Sequence, residues 1–196
     1  MRCSRLSEHA KVGFFYGVIM TELTQEYLKE CFDYNPETGD FVWKERPLHH
    51  FKDGRAMKIW NTKYAGLKSG SLQKRGYIEI SLSKKAYTAH RLAWLYVFGE
   101  MPKDQIDHIN SIKTDNKINN LRESTNSQNA QNKVKCNSNN KSSGMLGVSF
   151  DKRYEKYAAQ ITVNGKYKLI GRFNNKDDAH NAYLKAKRSL HEFNTL

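Results

Sequence analysis

Asp107 and His108 are adjacent in a polar stretch, dense in asparagine, that runs to Asn132. Asn120 follows His108 by twelve positions, and Asn129 follows Asn120 by nine. A neutral histidine can take a proton from water, and an amide oxygen can hold its ring by accepting the other ring N–H. His108 and Asn120 have the types for those two roles. Asp107 and Asn129 offer oxygen ligands to a hard divalent cation, Mg2+ or Mn2+, that keeps its remaining positions for water and phosphate. Such a cation stabilises a pentacovalent phosphate and a departing 3′ oxygen. The four side chains suit one-metal phosphodiester hydrolysis.

Bringing them to one point requires particular elements. Asp107 and His108 belong on a strand, where neighbouring side chains leave opposite faces. Leu121 starts a returning strand, and Asn129 lies on a short helix that Ser124 or Thr125 can cap. Upstream, Thr24 caps a helix with Leu23, Tyr27, Leu28 and Cys31 on one side. Phe32 to Trp43 reads as a hairpin around the turn Asn35–Gly39. Residues 44–74 read as basic and irregular, with His49 and His50 in a solvated loop. A second hairpin follows Gly76, with Ile78, Ile80 and Leu82 alternating with polar residues. An apolar helix then runs from about His90 to Phe98 and closes at Gly99 and Pro102.

The run Asp107-His108-Ile109-Asn110, the run Asn116 to Arg122 and the later Asn129 resemble the HNH (His-Me finger) endonuclease motif of phage and intron-encoded homing endonucleases. The likeness extends to Tyr34–Lys44, Trp60–Gly66, Gly76-Tyr77 and His90–Trp94. The resemblance implies a ββα-metal finger with His108 as general base, Asn120 orienting it, and Asp107 and Asn129 on the metal. His90 matches a histidine of that subfamily; as the first residue of an apolar helix it also reads as a hydrogen-bonded structural residue. Zinc-stabilised members of the wider family carry two cysteine pairs, whereas Cys3, Cys31 and Cys136 form none. The finger must therefore be held by packing, through residues such as Leu92, Leu95, Ile106, Ile109, Ile118 and Leu121.

Lys133–Ser143 reads as a flexible basic linker. Beyond it, Gly147–Phe150, Tyr157–Val163 and Lys168–Phe173 are strand candidates, with a tight turn at Asn164-Gly165. A helix capped by Asn174 follows, with Ala179, Ala182, Tyr183, Ala186 and Leu190 in one stripe. This part resembles the ethylene-response-factor (APETALA-type) DNA-binding domain, which implies a three-stranded sheet laid in the major groove. Lys152, Arg153, Lys156, Lys166, Lys168 and Arg172 are phosphate candidates, and Gln160 and Thr162 can address base edges if they share a face with Ala158. Tyr157 stands where the plant domains usually have tryptophan, so base specificity does not carry over.

The chain has 196 residues, with 33 Lys and Arg against 20 Asp and Glu, a net charge of +13. Eleven Lys and Arg against five Asp and Glu leave +6 of this in residues 141–196. The surplus points to a polyanion, and the three unpaired cysteines fit a reducing compartment. Val12–Met20 is too short to span a bilayer and lacks a small-residue cleavage site, so no membrane is expected. The reading is an α+β protein: an extension over residues 1–20, an endonuclease domain over 21–132, a linker over 133–143 and a DNA-binding module over 144–196. It acts as monomer or homodimer on double-stranded DNA, with no small-molecule cofactor, in the cytoplasm of a phage-infected bacterium by resemblance. A non-catalytic DNA-binding regulator and an RNA-binding protein are the alternatives.

Overall fold

The computed structural model describes residues 23–196, so the extension over residues 1–20 lies outside them. Helix α1 (Gln25–Cys31) starts at Thr24, whose hydroxyl accepts the Tyr27 N–H at 3.2 Å, and buries Leu28 and Cys31. Strands β1 (Phe32–Asn35) and β2 (Asp40–Trp43) form the expected antiparallel hairpin. Its tip turns through Gly39 at φ +76, and a Cβ there would stand 2.5 Å from the carbonyl carbon of Asn116. Only glycine lets the hairpin approach that backbone so closely. Tyr34 in β1 donates its hydroxyl to the Asn116 carbonyl at 2.7 Å. Burial pushes that phenol up to about 12.

Residues 44–74 are more ordered than their composition suggests. A 3-10 turn spans Leu48–His50, α2 covers Gly54–Tyr64 and a short strand β3 covers Ser71–Leu72. Asp53 caps α2 by accepting the Ala56 N–H at 2.7 Å. None of the α2 side chains is fully buried, although Ala56, Met57, Trp60 and Tyr64 stand at helical spacing along one half-buried face. Strands β4 (Ile78–Leu82) and β5 (Lys85–Thr88) turn through Ser83 and Lys84, both at positive φ, and β3 joins them in one sheet. Helix α3 (Ala89–Phe98) ends at Gly99 in the left-handed conformation. Leu92, Ala93 and Leu95 from α3 meet Phe32, Phe41, Ile80 and Leu82 in a core that also receives Ile106 and Leu121. Those last two residues come from the antiparallel pair β6 (Gln105–His108) and β7 (Leu121–Ser124). Helix α4 (Asn126–Gln131) follows, closed at its start by a reciprocal capping pair of Thr125 and Gln128.

A second core belongs to the C-terminal module. Strands β8 (Val148–Asp151), β9 (Lys156–Val163) and β10 (Lys166–Phe173) form an antiparallel sheet with β9 central. Helix α5 (Lys176–Leu190) lays Ala179, Tyr183 and Ala186 against Val148, Ala159 and Ile161. Its cap is Asn175 instead of Asn174, accepting the Asp177 N–H at 2.8 Å, and Leu190 leaves the buried stripe for the surface. Gly147 at φ +74 lets the Tyr183 ring close on the backbone, since a Cβ would stand 2.1 Å from it. The expected linker is tied down at its far end. Asn140 donates to the Val148 carbonyl at 2.9 Å and Ser143 donates to it at 2.6 Å. Among the described residues, no helix is long and apolar enough to cross a membrane.

Candidate active site

In β6, alternation sends Asp107 and His108 to opposite faces; Asp107 stands across from Arg122 and His108 from Leu121. Both side chains are buried. His108 Nε2 lies 3.2 Å from the amide oxygen of Asn116. An amide oxygen only accepts, so Nε2 carries the ring proton and Nδ1 keeps its lone pair. Burial lowers the His108 pKa, against the opposing pull of Asn116 and Asp107, which favours the neutral ring. Asn116 is itself fixed, because its carbonyl takes the Tyr34 hydroxyl and its backbone supports the hairpin tip at Gly39. The N-terminal hairpin thus positions the residue that positions the His108 ring.

The ring partner is therefore Asn116, where the spacing suggested Asn120. Asn120 holds the loop between β6 and β7. Its amide nitrogen donates to Asn110 Oδ1 at 3.0 Å and to the Asp115 carbonyl at 2.8 Å, while its oxygen accepts the Asn110 N–H at 3.0 Å. His90, at the start of α3, stands edge-on to His108 with ring centroids 5.1 Å apart. Its Nε2 lies 3.3 Å from the Thr88 hydroxyl, its Nδ1 is buried without a partner, and burial depresses it to about 3.

On the other face, Asp107 Oδ2 accepts Arg122 Nε at 3.0 Å and Nη2 at 2.8 Å. Asn132, one helical turn beyond Asn129, donates to Asp107 Oδ1 and Oδ2 at 3.2 and 3.1 Å. Asn129 instead donates to Gln105 Oε1 at 2.7 Å, so it shares the face of Asp107 but reaches the strand one step earlier. Its amide oxygen accepts no side-chain hydrogen bond among the described residues. A hard carboxylate and a free amide oxygen on one face suit a hard divalent cation, and the site residues fit one chemically. Arg122 and Asn132 are the participants the sequence reading missed. Pairing Leu121 with His108 would have placed Arg122 opposite Asp107, and helical spacing from Asn129 would have flagged Asn132.

Residues 87–131 match the HNH endonuclease family. The matched segment begins in β5, takes in α3, β6, β7 and α4, and contains Asp107, His108, Asn116, Asn120 and Asn129. It stops one residue short of Asn132 and includes neither the N-terminal hairpin nor the C-terminal module. No curated protein and no solved structure matches the chain. A nuclease or DNA-binding role follows for the HNH segment.

Away from it, Glu30, His49 and His50 bring one ligand atom each within 4.8 Å of one another. The loop histidines expected in solvent thus divide: His49 is exposed, whereas the His50 side chain is 1% exposed. Arg46 Nε donates to His50 Nδ1 at 3.1 Å, which leaves the proton on Nε2, facing Glu30 at 2.8 Å. That tautomer offers a cation no lone pair, and the knot ties α1 to the 3-10 turn.

In the C-terminal module the register sorts the basic residues. Ala158 pairs with Arg172, Gln160 with Leu169 and Thr162 with Tyr167. Paired residues share a face, so Lys156, Ala158, Gln160, Thr162 and Arg172 stand together, away from α5. Lys166 and Lys168 pair with Val163 and Ile161 and belong to the opposite face. Lys152 and Arg153 sit in the β8–β9 turn. Arg172 Nε donates to Asp151 Oδ2 at 3.0 Å, and Gln160 accepts the Tyr167 hydroxyl at 2.8 Å.

Proposed function

We propose that this chain is a divalent-metal-dependent DNA endonuclease of the homing type, of phage origin, with a ββα-metal finger built on β6, β7 and α4. The observation that carries the reading is His108. It is a buried neutral histidine, fixed through Nε2 by Asn116, with Nδ1 open, back to back with Asp107 inside a segment that matches HNH endonucleases. His108 Nδ1 takes a proton from water as the water oxygen bonds to phosphorus and the P–O3′ bond breaks. Asn116 keeps the ring aimed, and Asn120 keeps the loop around it closed. Asp107 and the amide oxygen of Asn129 would hold Mg2+ or Mn2+, which would supply charge stabilisation for the phosphate and the leaving oxygen. Nothing in a non-catalytic regulator would call for the open nitrogen on His108.

The C-terminal module anchors the enzyme on duplex DNA in the manner of an ethylene-response-factor domain. The sheet face with Lys156, Gln160, Thr162 and Arg172 supports this, since a β-sheet face carrying cations and amides suits the major groove. One hydrolytic centre nicks one strand, so a monomer nicks and a homodimer breaks both. Supercoiled plasmid incubated with Mg2+ or Mn2+ becomes nicked or linear with wild type and stays supercoiled with His108→Ala. Equal cleavage by the two proteins overturns the mechanism.

A further inference from the structure

The last residues of the chain return from α5 to the HNH segment and end on the groups that occupy Asp107. Arg122 Nη2, already on Asp107 Oδ2, donates to the Phe193 carbonyl at 2.7 Å, and the guanidinium lies 4.1 Å from the centre of the Phe193 ring. The Thr195 hydroxyl donates to Asn132 Oδ1 at 2.6 Å. The Phe193 N–H donates to Gln131 Oε1 at 3.3 Å. Both plugs on the carboxylate, the Arg122 guanidinium and the Asn132 amide, are therefore gripped from behind by the tail.

The surroundings of the Asn132 amide nitrogen are unusual. It lies 3.2 and 3.1 Å from the two Asp107 oxygens, 2.8 Å from the His108 carbonyl and 3.2 Å from the Ile109 carbonyl. An NH2 group has two protons for these four acceptors. Four oxygens, one pair of them a carboxylate, converging on a single point are the surroundings a hard cation seeks. Arg122 supplies the positive charge there in its place.

We infer that residues 192–196 form an autoinhibitory latch, which keeps Arg122 and Asn132 on Asp107 and so keeps a divalent cation off that carboxylate. This rests on the reading of Asp107 as a metal ligand. Arg122 is partly exposed, so a DNA phosphate can draw it away, and the latch couples cation entry to DNA binding.

The test measures Mn2+ binding to DNA-free protein, from the electron paramagnetic resonance signal of the free ion. Wild type is compared with a chain ending at His191, each with and without Asp107→Ala. The full-length double variant Phe193→Ala/Thr195→Val serves if the truncated chain loses its circular-dichroism signal. Freeing the charge-assisted contacts tightens Asp107-dependent Mn2+ binding by about ten-fold or more. Equal Asp107-dependent affinity in wild type and tail variants overturns the latch and leaves the metal site standing. Tighter binding that survives Asp107→Ala overturns the latch as well. Absence of Asp107-dependent binding in every protein overturns the metal site and the latch together.

Discussion

In the HNH segment, Asp107, His108 and Asn116 are buried and each is held by a side-chain hydrogen bond, whereas the C-terminal module offers Lys156, Gln160, Thr162 and Arg172 on an open sheet face. The first arrangement depends on single atoms. A buried polar group without its partner costs about 1–3 kcal/mol, so each residue type is nearly irreplaceable where it stands. The second depends on charge near a surface, where one cation substitutes for another and salt screens them all. If this contrast is right, single substitutions in the first region act on the rate of reaction, and those in the second act gradually on affinity.

The largest expected effect is at His108. As the proposed general base, His108 replaced by alanine should lower turnover by about a thousand-fold, with DNA affinity within a few-fold because the proposed phosphate contacts lie elsewhere. Gel-shift titration beside plasmid nicking separates the two; parallel loss of binding and cleavage would break the contrast. Next comes Asn116. Asn116→Ala should lower kcat by about 10–100-fold with KM little changed, the usual cost of removing a partner that aims a functional group. Asn116→Asp keeps an acceptor and should recover part of the rate. Asn120→Ala removes three bonds within the β6–β7 loop and should lower the melting temperature more than the ratio of kcat to KM suggests. Should Asn120→Ala instead reproduce the kinetics of Asn116→Ala at unchanged stability, the assignment of the ring partner is wrong.

These asparagines also mark how far the sequence could be read. The hairpins, α3, the β6–β7 pair and the sheet-and-helix module were legible because apolar alternation and caps are local signals. Asp107 and His108 stood out by type and adjacency. The partner of His108 did not, because Asn116, Asn119 and Asn120 are chemically identical and only the tertiary contact with Tyr34 and Gly39 selects among them. Asn132 went unnoticed because it is one more asparagine in the run, and only its contacts with Asp107 and the His108 carbonyl set it apart. Helix α2 was legible in the helical spacing of Ala56, Met57, Trp60 and Tyr64 behind the Asp53 cap but was masked by its basic neighbours, whereas the burial of His50 was not, since its partners Arg46 and Glu30 are set by packing of α1. The tail contacts of Phe193 and Thr195 are long-range and use no charged group of the tail, and no pattern along the chain announces them.

Effects in the C-terminal module should be smaller. Lys156→Ala with Arg172→Ala removes two cations from one face and should weaken duplex binding by roughly ten-fold, flattening the salt dependence by about one unit for each lost phosphate contact. Lys166→Ala with Lys168→Ala, on the other face, should change affinity much less. Equal losses from the two pairs would show that the face selected by register is not the one that meets DNA.

The smallest effect is expected at the seam between the regions. Lys187 of α5 is buried, makes no ion pair among the described residues, and donates its ammonium to the Lys133 carbonyl. Desolvation holds its pKa below the ordinary value of 10.5. The unfolded chain therefore binds that proton more tightly than the folded one, so stability from this group rises with pH as it passes from the folded pKa towards 10.5. Lys187→Met fills the same space without the buried charge, and the Lys133 carbonyl can turn to water. Melting curves should show Lys187→Met more stable by about 0.5–1 kcal/mol at neutral pH, with a flatter rise on the alkaline side. A destabilised Lys187→Met protein would instead make this one contact a necessary join, and the open-faced module would depend on the HNH segment as closely as His108 depends on Asn116.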